Sequence, residues 1–182
     1  MKISVEAIKT LRDKTGAPMG SVRSALEEAK GDEAKAKEIL TRKGFEAAAK
    51  LSGRTAGQGR IESYVHHNSR LGALVEINCE TDFVARGEQF IKFCRDVAMH
   101  VASTNPTHVK ADQLTKAELD EGKAGGKSPE QLAKERCLLE QPFIKSPGQT
   151  IGQYLSETIG AIRENIVIKR FVRFELGETA NV

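Results

Sequence analysis

The sequence predicts an α+β fold: a small head of three helices, then a core of antiparallel sheet packed with helices on one side. Three observations carry this. Apolar residues recur at helical spacing between capping residues from Ser4 to Gly44. The period changes to two between Arg60 and Ile77. Helical spacing then returns at Gly87, and a last apolar stretch from Ile166 to Phe174 reads as a strand.

Within the head, Ser4 is placed to cap a first helix carrying Val5, Ile8 and Leu11, with Gly16 as its stop. Pro18 suits the first position of a second helix, where its missing amide proton costs nothing. Val22, Ala25, Leu26 and Ala29 share one face of that helix, and Gly31 ends it. Asp32 caps a third helix with Ala36, Ile39 and Leu40, closed by Gly44. A bundle of this size buries little apolar surface and is marginal alone. It is similar to ubiquitin-associated domains, so residues 1–44 read as a three-helix docking domain. Residues 45–59 mix an Ala-rich run with Ser52, Gly53, Gly57 and Gly59, the composition of a linker.

The α+β core is expected over residues 60–182. Ile61, Ser63 and Val65 alternate with Glu62, Tyr64 and His66; after the turn-like His67-Asn68-Ser69-Arg70, an apolar run from Leu71 to Ile77 completes a hairpin. Phe90, Phe93, Cys94, Val97 and Val101 line one side of a helix that Pro106 ends. Lys110 to Gly126 is polar and Gly-punctuated, and is expected to be mobile. Ser128-Pro129-Glu130 starts a helix running to Leu139, while Pro142 and Pro147 mark a loop. An amphipathic helix from Ile151 to Ile162 precedes the final strand, expected beside the hairpin.

A chain of 182 residues has room for one such core and a small attached module. With 39% hydrophobic and 29% charged residues, the composition is that of a globular protein rather than a disordered or membrane-spanning one. The start, Met1 to Glu6, lacks the apolar run of a secretory signal, which predicts a cytoplasmic location. The three cysteines are widely spaced with no Cys-x-x-Cys pair, as a reducing compartment permits. The net charge of +3 comes from interspersed residues. Phosphate binding works through a concentrated basic stripe, so no direct nucleic-acid partner is expected.

Candidate chemistry is sparse. His66 and His67 are adjacent on a strand and point to opposite faces, which makes sharing one metal ion difficult. His100 and His108 flank Pro106 with no acidic partner in register. Cys79 has no neighbouring His to lower its pKa and reads as a small buried hydrophobe. Gly125-Gly126-Lys127-Ser128 lacks the first Gly and the preceding strand of a phosphate loop. Nothing forms an active site or calls for a cofactor.

One stretch stands apart. Glu76-Ile77-Asn78-Cys79-Glu80-Thr81-Asp82-Phe83-Val84-Ala85-Arg86 runs from a strand into a break where a carboxylate and an aromatic stand side by side. Taken alone, the pair has two readings: Phe83 turned inward with Asp82 capping the next helix, or both presented outward at the tip of the hairpin to enter another molecule.

These eleven residues resemble, at every position, the second signature of the elongation factor Ts family. Leu11-Arg12-Asp13-Lys14-Thr15-Gly16-Ala17-Pro18-Met19, with Ala25-Leu26 and Gly31-Asp32, resembles its N-terminal signature. Weaker similarity continues at Gln141-Pro142-Phe143 and Phe174-Glu175-Leu176-Gly177-Glu178, so the resemblance spans nearly the whole chain. A departure lies at Gly20 to Ser24, where the family shows an acidic residue and two lysines. The length resembles the short form with a single core. The resemblance implies a guanine-nucleotide exchange factor of translation elongation whose partner is elongation factor Tu, GDP-bound and nucleotide-free. It implies docking on the nucleotide-binding domain through Arg12 and Met19. Thr81, Asp82, Phe83 and Val84 would disturb the magnesium site, and the C-terminal part of the core would touch a second domain of the partner. Short-form members can act as dimers, so a homodimer is open. Two competing readings are an adaptor whose head is the active part, and a thiol or metal enzyme that depends on Cys79 or His66.

Overall fold

In the computed structural model, which describes residues 3–178, the head forms where the chain supplies caps. Ser4 accepts from the amide of Ala7 (3.1 Å) and opens α1 (Val5–Thr15). Gly16 closes it at φ 66°, a left-handed conformation that favours glycine. Pro18 is the N-cap of α2 (Met19–Glu28) rather than its first residue. Asp32 accepts from the amide of Lys35 (3.1 Å) and opens α3 (Glu33–Leu51). Ile8, Leu11, Val22, Ala25, Leu26, Ala36 and Leu40 form the head's own core.

Helix α3 corrects an expectation. It does not close at Gly44 but continues to Leu51, and β1 begins at Gln58, so residues 52–57 alone connect the two elements. Ala47, Ala48 and Ala49 are strong helix formers. Gly44 is present for close approach, not for termination. A Cβ on it would stand 2.9 Å from the Ser156 carbonyl oxygen, and one on Gly160 would stand 3.1 Å from the Gly44 Cα. Helix α3 therefore crosses α8 (Ile151–Ile162) nearly backbone to backbone, and Thr41 donates to Glu157 across the crossing (2.7 Å). At its far end Ala48 and Leu51 join the core of the second part. The head is thus attached by packing.

That second part is built on a three-stranded antiparallel sheet of order β1 (Gln58–Val65), β2 (Leu71–Cys79), β5 (Val167–Glu175). Gln58 pairs with Cys79 and Val65 with Gly72, and a bulge separates Glu76 from Ile77 in the pairing with β5. Ala73, Val75, Ile77 and Cys79 face inward, where α5 (Glu88–Thr104) supplies Phe90, Phe93, Cys94, Val97 and Val101. On β1 the polar set lies inward instead. Glu62 reaches Arg95 of α5 (3.9 Å), while Ile61 and Val65 are exposed on the opposite face with Leu74, Val172 and Phe174.

Lys110 to Gly126, expected to be mobile, holds a short 3-10 turn and α6 (Lys116–Ala124), which Thr115 and Glu118 open with a reciprocal capping box. The next helix, α7 (Pro129–Arg136), begins as expected behind Ser128 but stops before Leu139. Side chains fasten the pair: Glu118 lies 3.6 Å from His108 and 3.3 Å from Arg136, so His108 does have an acidic partner. The loop at Pro142 and Pro147 is a small hairpin, β3 (Pro142–Phe143) with β4 (Ser146–Thr150). No helix among the described residues is long and apolar enough to cross a membrane.

The crossing makes a prediction. Gly44→Val forces α3 and α8 apart and destabilises the protein by about 1–3 kcal/mol, as overpacking does. Gly53→Val, where a Cβ meets nothing within 4 Å, leaves the urea midpoint unchanged. Equal midpoints for the two variants would contradict the close crossing.

Candidate partner-binding site

Strand β2 ends at Cys79, and the chain turns at once into the one-turn helix α4 (Asp82–Ala85). Its cap is Thr81, whose hydroxyl oxygen accepts from the amide of Val84 (3.3 Å). Asp82 therefore does not cap. It occupies the first turn, where a carboxylate complements the helix dipole, and pairs with Arg86 four residues on. Val84 packs partly against the main core, Ala85 is buried, and the two fix the inner side of the turn. Phe83 points the other way and is 82% exposed. Burying a phenylalanine is worth about 1.5–3 kcal/mol, a stabilisation that the outward side chain forgoes. The inward arrangement of the pair is excluded: Phe83 faces outward and Thr81, not Asp82, is the cap.

The turn is not the tip of a hairpin as expected. It lies at the end of the sheet opposite the β1–β2 connection, because α4 begins where β2 leaves its register partner Gln58. A second segment meets it there. The Glu164 carboxylate accepts from the amides of Glu80 and Thr81 (both 3.1 Å) and from the Thr81 hydroxyl (2.6 Å). In return, the Glu80 carboxylate accepts from the amide of Asn165 (2.7 Å), and Asn165 Nδ2 donates to the Arg54 carbonyl (2.7 Å). Sequence reasoning missed Glu164 and Asn165. They lie more than eighty positions from Glu80 and Thr81, and no periodicity or motif links the two segments.

Arg12, in the last turn of α1, and Met19, first in α2, are both exposed and flank the head's first turn. Gln89 Nε2 reaches the Gly16 carbonyl (3.5 Å), which brings that turn beside the start of α5 just after α4. Among the described residues, no hydrogen bond or ion pair joins Arg12 or Met19 directly to Thr81, Asp82, Phe83 or Val84. The two groups share a neighbourhood without forming one cluster.

The enzymatic readings find no geometry. Burial, with the carboxylates of Glu164 and Glu80 nearby, pushes the Cys79 thiol up to about 11, the reverse of nucleophile activation. Burial likewise raises the Cys94 thiol to about 12. His66 Nδ1 lies 2.9 Å from the Tyr64 hydroxyl, and no cluster of three metal-ligating side chains occurs among the described residues. His100 is fully buried and bonds Gln141 (3.1 Å), with burial holding its pKa below the usual imidazole range. In the Gly125-Gly126-Lys127-Ser128 segment, Ser128 caps α7.

The whole chain, rather than this turn alone, can be set beside known proteins. The sequence profile of the family described as Elongation factor TS matches residues 33–129 and 125–178. The chain belongs to the elongation factor Ts family. It is 47% identical to Elongation factor Ts of Alkaliphilus metalliredigens, over 98% of this chain and 91% of that protein. It is also 47% identical to Elongation factor Ts of Carboxydothermus hydrogenoformans, over 97% and 90%. With Elongation factor Ts of Rubrobacter xylanophilus it shares 45% identity, over 97% of this chain and 100% of that protein. Membership implies guanine-nucleotide exchange on elongation factor Tu during translation elongation.

All three cysteines are free and buried. At pH 8 the folded protein is expected to react negligibly with an aromatic disulfide reagent over minutes, and to release three equivalents once unfolded in guanidinium. Fast labelling of the folded protein would contradict this burial.

Proposed function

We propose that this chain releases GDP from elongation factor Tu by docking at two places and intruding at one. The head holds the nucleotide-binding domain through Arg12 and Met19, while Thr81, Asp82, Phe83 and Val84 enter beside the magnesium site. The C-terminal part of the core rests on a second domain of the partner. The observation that carries this reading is the 82% exposure of Phe83 on a capped helical turn with Asp82 beside it. Magnesium requires near-octahedral oxygen coordination and bridges GDP to its protein, so a wedge that displaces one packed element disturbs it without covalent chemistry. The coupling is reciprocal: the factor weakens GDP binding by as much as GDP weakens the factor. A roughly ten-thousandfold loss of nucleotide affinity needs about 5.5 kcal/mol of differential interaction. Burial of Phe83 supplies about 1.5–3 kcal/mol of that, and the docked surfaces supply the remainder.

The adaptor reading, in which residues 1–44 carry the main affinity, is less favoured because α3 runs past Gly44 into the core and leaves no natural boundary there. The reading places the protein in the cytoplasm, with no nucleic acid contacted directly. In stopped flow with a fluorescent GDP, Asp82→Ala combined with Phe83→Ala is expected to slow GDP release roughly 10- to 100-fold with the fold intact. Unchanged release would sink the intrusion mechanism.

We also propose that the protein acts as a homodimer through the outer face of its sheet. Val65 and Phe174 there are 68% and 61% exposed beside Ile61, Leu74 and Val172, and a contiguous apolar face of this kind marks an interface. A bridge through cysteine does not fit, since all three are buried. Light scattering is expected to report a dimer that Val172→Lys converts to a monomer; a monomeric parent protein would end this part of the reading.

A further inference from the structure

Glu164 lies outside the sequence signatures and is not among the residues named in the proposed exchange mechanism, yet its carboxylate accepts three hydrogen bonds from the segment that presents Phe83. Oε2 accepts from the Glu80 and Thr81 amides, and Oε1 accepts the Thr81 hydroxyl proton at 2.6 Å. A threonine hydroxyl has one proton and two lone pairs. With its proton committed to Glu164, the oxygen presents lone pairs to the Val84 amide, which is the capping bond of α4. The hydrogen bonds to a charged acceptor are the strong kind. An isolated single turn is otherwise poorly stable, since nucleation costs more than one turn returns.

The clamp is reciprocal. Glu80 returns a carboxylate to the Asn165 amide at 2.7 Å, and Asn165, itself buried, ties the pair to the Arg54 carbonyl. Glu164 is delivered there because α8 ends at Ile162 and Arg163 takes a left-handed conformation at φ 67°, turning the chain toward β5. The same α8 crosses α3 at Gly44 and Gly160. One helix therefore carries the contact that seats the head and, two residues past its end, delivers the residue that seats the wedge.

We propose that Glu164 is a positioning residue for nucleotide exchange: through Thr81 it fixes the orientation of α4 and hence the direction in which Phe83 enters the partner. This rests on the intrusion reading above. Without the clamp the head still docks, but Phe83 samples directions in which it does not intrude, so the fault falls on the maximal rate rather than on apparent affinity. Glu164→Gln is the sharp variant. It keeps the size of the side chain, but its amide group sets a donor against a site that supplies three donors.

The test is a double-mutant cycle in the GDP-release assay, using the full chain and elongation factor Tu carrying fluorescent GDP. E164Q is expected to lower the saturating rate roughly tenfold, in line with the cost of misplacement on the ångström scale, with the half-saturating factor concentration within about twofold. On a Phe83→Ala background, E164Q is expected to cause no further loss. Amide exchange is expected to show protection lost at Glu80, Thr81 and Val84 and retained along α5. Equal slowing on both backgrounds would overturn the proposal in favour of a general structural role. No slowing by E164Q, where Phe83→Ala does slow release, would overturn the clamp alone. No slowing by Phe83→Ala would remove the intrusion reading and the clamp with it. Should E164Q fail to fold, Glu164→Asp, which keeps the charge and shortens its reach, runs the same cycle with the same outcomes.

Discussion

The close crossing of α3 and α8 constrains where the rest of the molecule stands. Gly44 and Gly160 let two backbones approach to a distance at which a Cβ would meet a carbonyl oxygen, so small a separation that few alternative angles are open. From that contact α3 runs one way into the head and the other way into the main core through Ala48 and Leu51. The head has too little apolar surface to be securely stable alone. Docked along a helix that it shares with the core, it acquires both stability and a fixed orientation.

A second constraint is a buried charge. Asp96 of α5 is almost wholly buried, yet its carboxyl stays below the usual carboxylate range. Burial would raise it, but hydrogen bonds from Lys145, Lys92 and Tyr154 outweigh that. Lys145 bonds one oxygen at 2.6 Å, while Lys92 and Tyr154 share the other at 2.9 Å. The network ties α5 to the β3–β4 hairpin and to α8. Only the carboxylate is buried, the two lysines being exposed, and a buried carboxylate stripped of its partners is costly, so these groups stay together. Here the Tyr154 hydroxyl holds α8 against α5 and Lys145 holds the hairpin, and α5 begins just beyond the turn that carries Phe83. The turn that carries Phe83 thereby stands at the margin of a braced core, where an exposed aromatic can be held in one direction.

Local signals were legible wherever the physics was local. Ser4, Gly16, Asp32 and Ser128 cap where the sequence predicts, and the helical stripe of Phe90, Phe93, Val97 and Val101 is buried as its spacing requires. Gly44 was misread because a glycine that ends a helix and a glycine that admits a neighbouring backbone look alike in one dimension. In the polar stretch from Lys110 to Gly126 spacing does not reveal the meeting of Glu118 with His108 and Arg136, which fastens its helix to the neighbouring segments. On β1 the alternation was plain, but which half faces the core was settled by Arg95 receiving Glu62 and by the open outer face.

The sequence by itself determined the family, the helical head and the period-two hairpin, and singled out the Thr81-Asp82-Phe83-Val84 segment by its signature, because caps, periods and signatures are written in contiguous residues. The tertiary structure decided that Phe83 faces solvent, that Thr81 rather than Asp82 caps the turn, and that Glu164 holds that cap. Those outcomes depend on hydrogen bonds between segments more than eighty residues apart. Such bonds form when the fold carries donors and acceptors into reach, and neither segment alone records the other's position.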